Sequence, residues 1–91
     1  MITMDKFELL KKTADVIQAR GDSYGDITEC HKRIADLWSV ILDKKVEPEQ
    51  VALCMIALKI ARLMESPDHT DSWQDIIGYT MTGYECVNGK K

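Results

Sequence analysis

The sequence predicts an all-α protein, an antiparallel bundle of four helices that the whole chain, residues 1–91, forms as a single domain. Three observations predict this fold. Apolar residues recur at helical spacing in four segments, and the breaks between those segments are short and polar. In addition, no segment alternates apolar and polar residues in the manner of a strand.

The first two helices are expected over residues 5–19 and 27–43. Phe7, Leu10, Ala14 and Ile17 form an apolar stripe on the first helix. That helix is expected to end before the glycine- and aspartate-rich segment 20–26, with Gly21 in the left-handed conformation that follows many helices. Asp26 is expected to cap the second helix, whose apolar face is formed by four residues: Ile34, Leu37, Trp38 and Ile41.

The third and fourth helices are expected over residues 48–65 and 71–87. Pro48 suits the first turn of the third helix, which is apolar on all sides except at Lys59 and Arg62 and is therefore expected at the buried centre of the bundle. The break at 66–70 precedes the fourth helix, in which Gly78 and Gly83 indicate close packing or the approach of a ligand.

Composition excludes several classes of protein. The net charge of −3 argues against general nucleic-acid binding, and the longest apolar run, 51–58, is too short to cross a membrane. Three widely spaced cysteines argue against disulfides and a zinc site, and favour small buried residues in a reducing cytoplasm. No apolar segment of signal-peptide length begins the sequence, so a cytoplasmic location is expected. A core this small also predicts a homo-oligomer.

Two cations on the apolar third helix are the strongest indication of a functional site in the sequence. Lys59 and Arg62, three residues apart, project from one face, and each needs an anion or water. The fourth helix supplies Asp71 and Asp75 one turn apart, and the two helices could bring these pairs face to face. The cluster is either a structural network of ion pairs or a polar pocket in which the cations hold a phosphate or another anion.

Four further residues are candidates for ligand binding. Trp73 and Tyr79 lie on the helix that bears the aspartates, and Trp73 is either a core residue or a stacking platform for a base. Tyr24, in the segment Tyr24-Gly25-Asp26, is either part of a plain turn or a ligand contact. His69, like His31, lacks metal-ligand spacing and is either structural or solvent-facing, but it could reach a ligand at the start of the fourth helix.

Several motifs resemble those of a family of short phage and prophage proteins of unassigned function. The motifs lie in four segments: 24–26 (YGD), 33–38 (RIADLW), 59–63 (KIARL) and 68–79 (DHTDSWQDIIGY). That family in turn resembles the all-α nucleotide pyrophosphohydrolases of the MazG-like group and the phage nucleotide-modification-associated domains. The resemblance implies a MazG-like bundle and a pocket shaped for a nucleotide.

The same resemblance bears on catalysis. The MazG-like enzymes bind Mg²⁺ through Glu-x-x-Glu on one helix and Glu-x-x-Asp on the next. At the corresponding positions this chain has Lys59 and Arg62, then Ser72 and Asp75. Because cations replace the first carboxylate pair, no catalytic residue, metal ligand or cofactor is assigned, and Mg²⁺ is expected only if the protein is a hydrolase.

Three functions follow as hypotheses. The first is a non-catalytic protein that binds a nucleotide or a nucleotide-derived signal, with a possible counter-defence role in the host cell. The second is a phage protein that inhibits a host defence protein by direct contact, which predicts an exposed apolar patch. The third is a Mg²⁺-dependent nucleoside triphosphate pyrophosphohydrolase.

Overall fold

The computed structural model describes residues 4–24 and 26–89, apart from the side chains of Ser23 and Tyr24. This part of the chain contains four helices and no strand. The helices are α1 (Lys6–Tyr24), α2 (Ile27–Leu42), α3 (Pro48–Glu65) and α4 (Thr70–Asn88). The prediction of an all-α protein with four helices is therefore confirmed.

The end of α1 differs from its prediction. The helix continues through Gly21 to Tyr24, so the expectation that Gly21 is left-handed and follows the helix is wrong. A glycine inside a helix costs only about 1 kcal/mol relative to alanine, so it does not by itself end one. The Gln18 side-chain amide also donates a hydrogen bond to Asp22 Oδ1, at 3.4 Å, across the extra turn.

Side chains cap the starts of the first three helices. The Asp5 carboxylate accepts hydrogen bonds from the backbone N–H groups of Phe7 and Glu8, both at 2.9 Å. The Asp26 carboxylate accepts one from the Thr28 N–H at 2.9 Å, as predicted. Before α3, the Glu47 N–H donates to Gln50 Oε1 at 2.8 Å. These bonds satisfy donors that a helix start leaves unpaired.

The α2–α3 connection is tied to the core by Ser39. Its hydroxyl donates to the Ala35 carbonyl oxygen at 2.7 Å and accepts from the Val46 N–H at 2.8 Å. Val46 is buried with Ala35 and Val51, and the cluster is completed by three half-buried side chains: Ile34, Trp38 and Met55. The loop thereby becomes part of the core.

The most extensive helix contact is between α3 and α4, and α1 packs mainly against α4. A Cβ atom placed on Gly83 would lie 3.2 Å from Ala52 Cβ, so this glycine allows the two helices to approach closely. The prediction that a glycine of the fourth helix permits close packing is confirmed at this position. Gly78 differs, since a Cβ there would meet nothing within 4 Å.

The apolar core is smaller than the sequence predicts. Six apolar residues are buried in the described ranges: Ala35, Val46, Val51, Ala52, Leu63 and Cys86. The stripe expected on α1 is largely exposed at Phe7 and Leu10. The expectation that α3 is the buried centre is wrong, because only its α2- and α4-facing side is covered. Cys30 and Cys54 are likewise exposed free thiols rather than buried ones.

None of the helices described is both long enough and apolar enough to cross a membrane.

Candidate functional site

A cavity of about 630 Å³ lies between the four helices. All four helices contribute to its wall, which is mostly apolar. The lining residues are Thr13, Val16, Ile17, Arg20, Gly21, Ile27, Cys30, His31, Ile34, Trp38, Val51, Met55, Lys59, Gln74, Asp75, Gly78, Tyr79 and Thr82. This volume lies within the range of about 300–1,000 Å³ that is typical of small-molecule sites.

An ion pair between α3 and α4 lies in this wall. Lys59 Nζ is 3.1 Å from Asp75 Oδ2, and the two side chains are 15% and 31% exposed. The extensive packing of α3 on α4 brings them together, as the sequence suggested for a cation on an apolar helix. Because an ammonium group has three N–H donors, Lys59 retains donors for a ligand after it binds Asp75.

The other half of the predicted cluster does not form. Arg62 and Asp71 are both exposed and do not line the cavity. Within the described ranges, Arg62 has no carboxylate at ion-pair distance. Residues three apart on a helix point about 60° apart around its axis, so Arg62 does not share the direction in which Lys59 reaches Asp75 on α4. The structure therefore contains a pair rather than a cluster of four charges.

Tyr79 and His31 face each other across the cavity wall. Their ring centroids are 6.3 Å apart, with an angle of 53° between the ring planes. His31 is 3% exposed, and its Nδ1 lies 3.1 Å from the Ile27 carbonyl oxygen, so Nδ1 carries a proton and donates it. Nε2 is buried and has no hydrogen-bond partner in the described part of the chain. The wall thus contains an unpaired polar atom in an apolar setting.

Trp73 and His69 lie outside the cavity lining. The Trp73 indole N–H donates to the Pro67 carbonyl oxygen at 2.9 Å, and His69 Nδ1 is 2.7 Å from Ser72 Oγ. Both side chains therefore brace the α3–α4 connection. The backbone of Tyr24 ends α1, whereas the prediction that its side chain contacts a ligand falls outside the described residues, as does Gly25.

Arg20 and His31 belong to the cavity wall but were not among the predicted site residues. Arg20 follows Thr13 and Ile17 at helical spacing, a signal that the predicted end of α1 concealed. His31 likewise lies between Ile27 and Ile34 on the apolar stripe of α2.

The charge of the wall is opposite to that of the protein. The charged lining residues are Arg20, Lys59 and Asp75, which sum to +1, whereas the chain as a whole carries −3. Such a wall can hold a small anion that also has an apolar part. In the described ranges, no group of three or more His, Cys, Asp or Glu side chains is placed to hold a metal ion.

Comparisons with known proteins give relatives but no solved fold. The Gene 55 protein of Mycobacterium phage L5 is 52% identical over 62 residues, which are 66% of this chain and 39% of that protein. The Gene 55 protein of Mycobacterium phage D29 is 42% identical over 60 residues, or 66% of this chain and 40% of that protein. The chain thus spans about two-fifths of the length of these relatives. No solved structure matches it.

The similarity to phage proteins that the motifs suggested is confirmed, and the resemblance to MazG-like enzymes stays a prediction. The family model described as a domain of unknown function (DUF6378) matches residues 8–87. Since this match covers nearly the whole chain, the protein belongs to the DUF6378 family.

Proposed function

We propose that the protein binds a small anionic molecule, a nucleotide or a nucleotide-derived signal, in the cavity between its helices and does not transform it. The observation that supports this most directly is the position of Lys59. Its ammonium group lies in a mostly apolar wall and has one carboxylate partner, Asp75, at 3.1 Å. A phosphate would accept hydrogen bonds from the donors that Asp75 leaves free.

The rest of the wall suits the other parts of such a ligand. Tyr79 and Trp38 offer aromatic surface for a base, and Arg20 on α1 supplies a second cation for phosphate. Gly78 leaves open space where a side chain would otherwise project. In a phage protein, a binder of this kind could sequester a host nucleotide signal in the cytoplasm, which is the counter-defence role we propose.

A thermal-shift screen tests this proposal with AMP, ADP, ATP, cyclic nucleotides and ADP-ribose as probes. A ligand at 100 times its dissociation constant stabilises a protein by about 2.7 kcal/mol, which for a chain of this size raises the midpoint by roughly 10–20 °C. Phosphate release is measured in the same samples with Mg²⁺. No shift with any probe would contradict the proposal, and turnover that Asp75→Asn abolishes would favour the hydrolase instead.

Exposed apolar side chains favour a second candidate, a protein that acts by contact with another protein. Leu37, Val40 and Ile41 on α2 are exposed, as are Leu53 and Met64 on α3. Large exposed apolar surfaces mark interaction sites in many proteins. This candidate predicts that none of the nucleotides shifts the midpoint and that charged substitutions on this surface abolish the biological effect while the fold is retained.

A further inference from the structure

One face of α3 is an exposed apolar stripe without charged residues. Leu53, Ala57, Ile60 and Met64 are all exposed, with Leu53 at 62% and Met64 at 83%. They follow one another at intervals of four, three and four residues. This spacing is that of the core positions of a coiled coil, where helices pack side by side. Val51, a buried residue of the same helix, lies on the opposite side, and the buried Ala52 and Leu63 lie about a quarter turn from the stripe.

The chain exposes more surface than a compact monomer of its mass. A compact folded chain of 10.4 kDa exposes about 5,400 Å² by the usual scaling of surface with mass. This chain exposes 6832 Å², which is about 1,400 Å² more. A stable protein–protein interface of standard size covers about 800 Å² on each partner. The excess is therefore sufficient for a substantial interface on every copy.

We infer that the α3 stripe is the centre of a two-fold symmetric interface with a second copy of this chain. A two-fold interface places the same patch on both partners, so a patch with no charge opposes itself with no repulsion. The stripe has no charged residue, and Ala57 at its middle lets two helices approach closely. The cavity is lined from other parts of the helices, so this inference does not depend on ligand binding.

Sedimentation velocity from micromolar to sub-millimolar concentration tests the inference on the wild-type chain and on two variants. Leu53→Glu places a charge in the stripe, and Leu10→Glu makes the same change at a similarly exposed leucine, 56% exposed, on α1. We expect twice the 10.4 kDa mass for the wild type and for Leu10→Glu, and the monomer mass with unchanged helical circular dichroism for Leu53→Glu. A monomeric wild type, or a dimer that Leu53→Glu leaves intact, would overturn the inference.

Two measurements on the wild type keep the inference testable if Leu53→Glu does not fold. The melting midpoint of a dimer rises with protein concentration, whereas that of a monomer does not. The exposed thiol of Cys54, next to Leu53, should also react with a thiol reagent faster as the protein is diluted, relative to the thiol of Cys30. A midpoint and a Cys54 rate that do not vary with concentration would leave the stripe free for a different protein and refute self-association.

Discussion

The Lys59–Asp75 ion pair could be predicted from the sequence, because Lys59 is a charged residue on an apolar helix. A cation in that setting needs an anion, and the nearest acidic residues along the chain lie on the following helix. That reasoning predicts the pair that forms, with 3.1 Å between Nζ and Oδ2. It could not separate Lys59 from Arg62, because the choice depends on the exact direction and position at which α4 packs against α3. The Arg62 side chain is exposed, although it follows Val51 and Met55 at helical spacing.

We predict that Lys59→Gln weakens nucleotide binding by about 10–100-fold, because hydrogen bonds to a charged group contribute about 1.5–3 kcal/mol. Arg62→Ala is the matched control on the same helix, and it should leave both the fold and binding within about twofold of the wild type, since this side chain is exposed and outside the cavity. Isothermal titration calorimetry with the tightest nucleotide checks both variants. Equal losses in the two would refute the assignment of Lys59 to the site.

The variant Asp75→Asn should change nucleotide affinity in the opposite direction from Lys59→Gln. It raises the charge of the cavity wall by one and frees the Lys59 ammonium group, so the binding proposal expects anion affinity to hold or increase. The hydrolase alternative expects all turnover to disappear. A strong loss of nucleotide affinity in this variant would mean that Asp75, rather than Lys59, makes the important contact.

Gly78 and Gly83 allow a comparison within one helix. We predict that Gly78→Ala raises the free energy of unfolding by about 0.5–1 kcal/mol, because alanine is the better helix former and the new methyl group meets nothing within 4 Å. Gly83→Ala should stabilise less or destabilise, since its methyl group would lie 3.2 Å from Ala52 Cβ on a rigid helix. Chemical denaturation measures both. Equal gains would show that α3 and α4 are not in close contact at this point.

At the scale of the helices, the accuracy of each predicted boundary depends on the strength of the start and stop signals in the sequence. The sequence predicts residues 48–65 for α3, which is observed as Pro48–Glu65, because proline at the start and the polar break predicted at 66–70 leave little choice. The end of α1 was missed because a single glycine is a weak stop signal. The cavity could not be predicted at all, since it depends on how four helices are spaced rather than on any one of them.

The cap of α2 gives a prediction about pH. Hydrogen bonds from the Thr28 side chain and backbone lower the pKa of Asp26 below its usual value of about 3.9. A carboxyl group whose pKa is lowered by folding stabilises the folded state above its unfolded pKa, and this contribution is lost as the pH falls through the lowered value. Asp26→Asn keeps a capping oxygen but cannot titrate. The difference between the melting midpoints of wild type and Asp26→Asn should therefore shrink below about pH 4. A difference in melting midpoint that does not vary with pH would contradict this prediction.

At the scale of the whole molecule, a small core and a large surface go together. Six buried apolar residues in the described ranges are few for a chain of 91, and the apolar fraction of 45% predicted more. Periodicity shows which residues share a helix face but not whether another helix covers that face. For this reason the sequence predicts burial for the apolar stripe of α1 and for all sides of α3, whereas Phe7, Leu10, Leu53 and Met64 are exposed.

The cavity also affects how the protein responds to compression. Unfolding eliminates internal voids, so the volume of a protein decreases on unfolding by an amount that scales with the voids it contained. A space of about 630 Å³ is large for a chain this short. Only space that stays dry contributes to this volume change, and the cavity is partly open to solvent. Hydrostatic pressure is therefore expected to act through the apolar part of the cavity that water does not fill, and a ligand that fills this part should protect the fold against pressure.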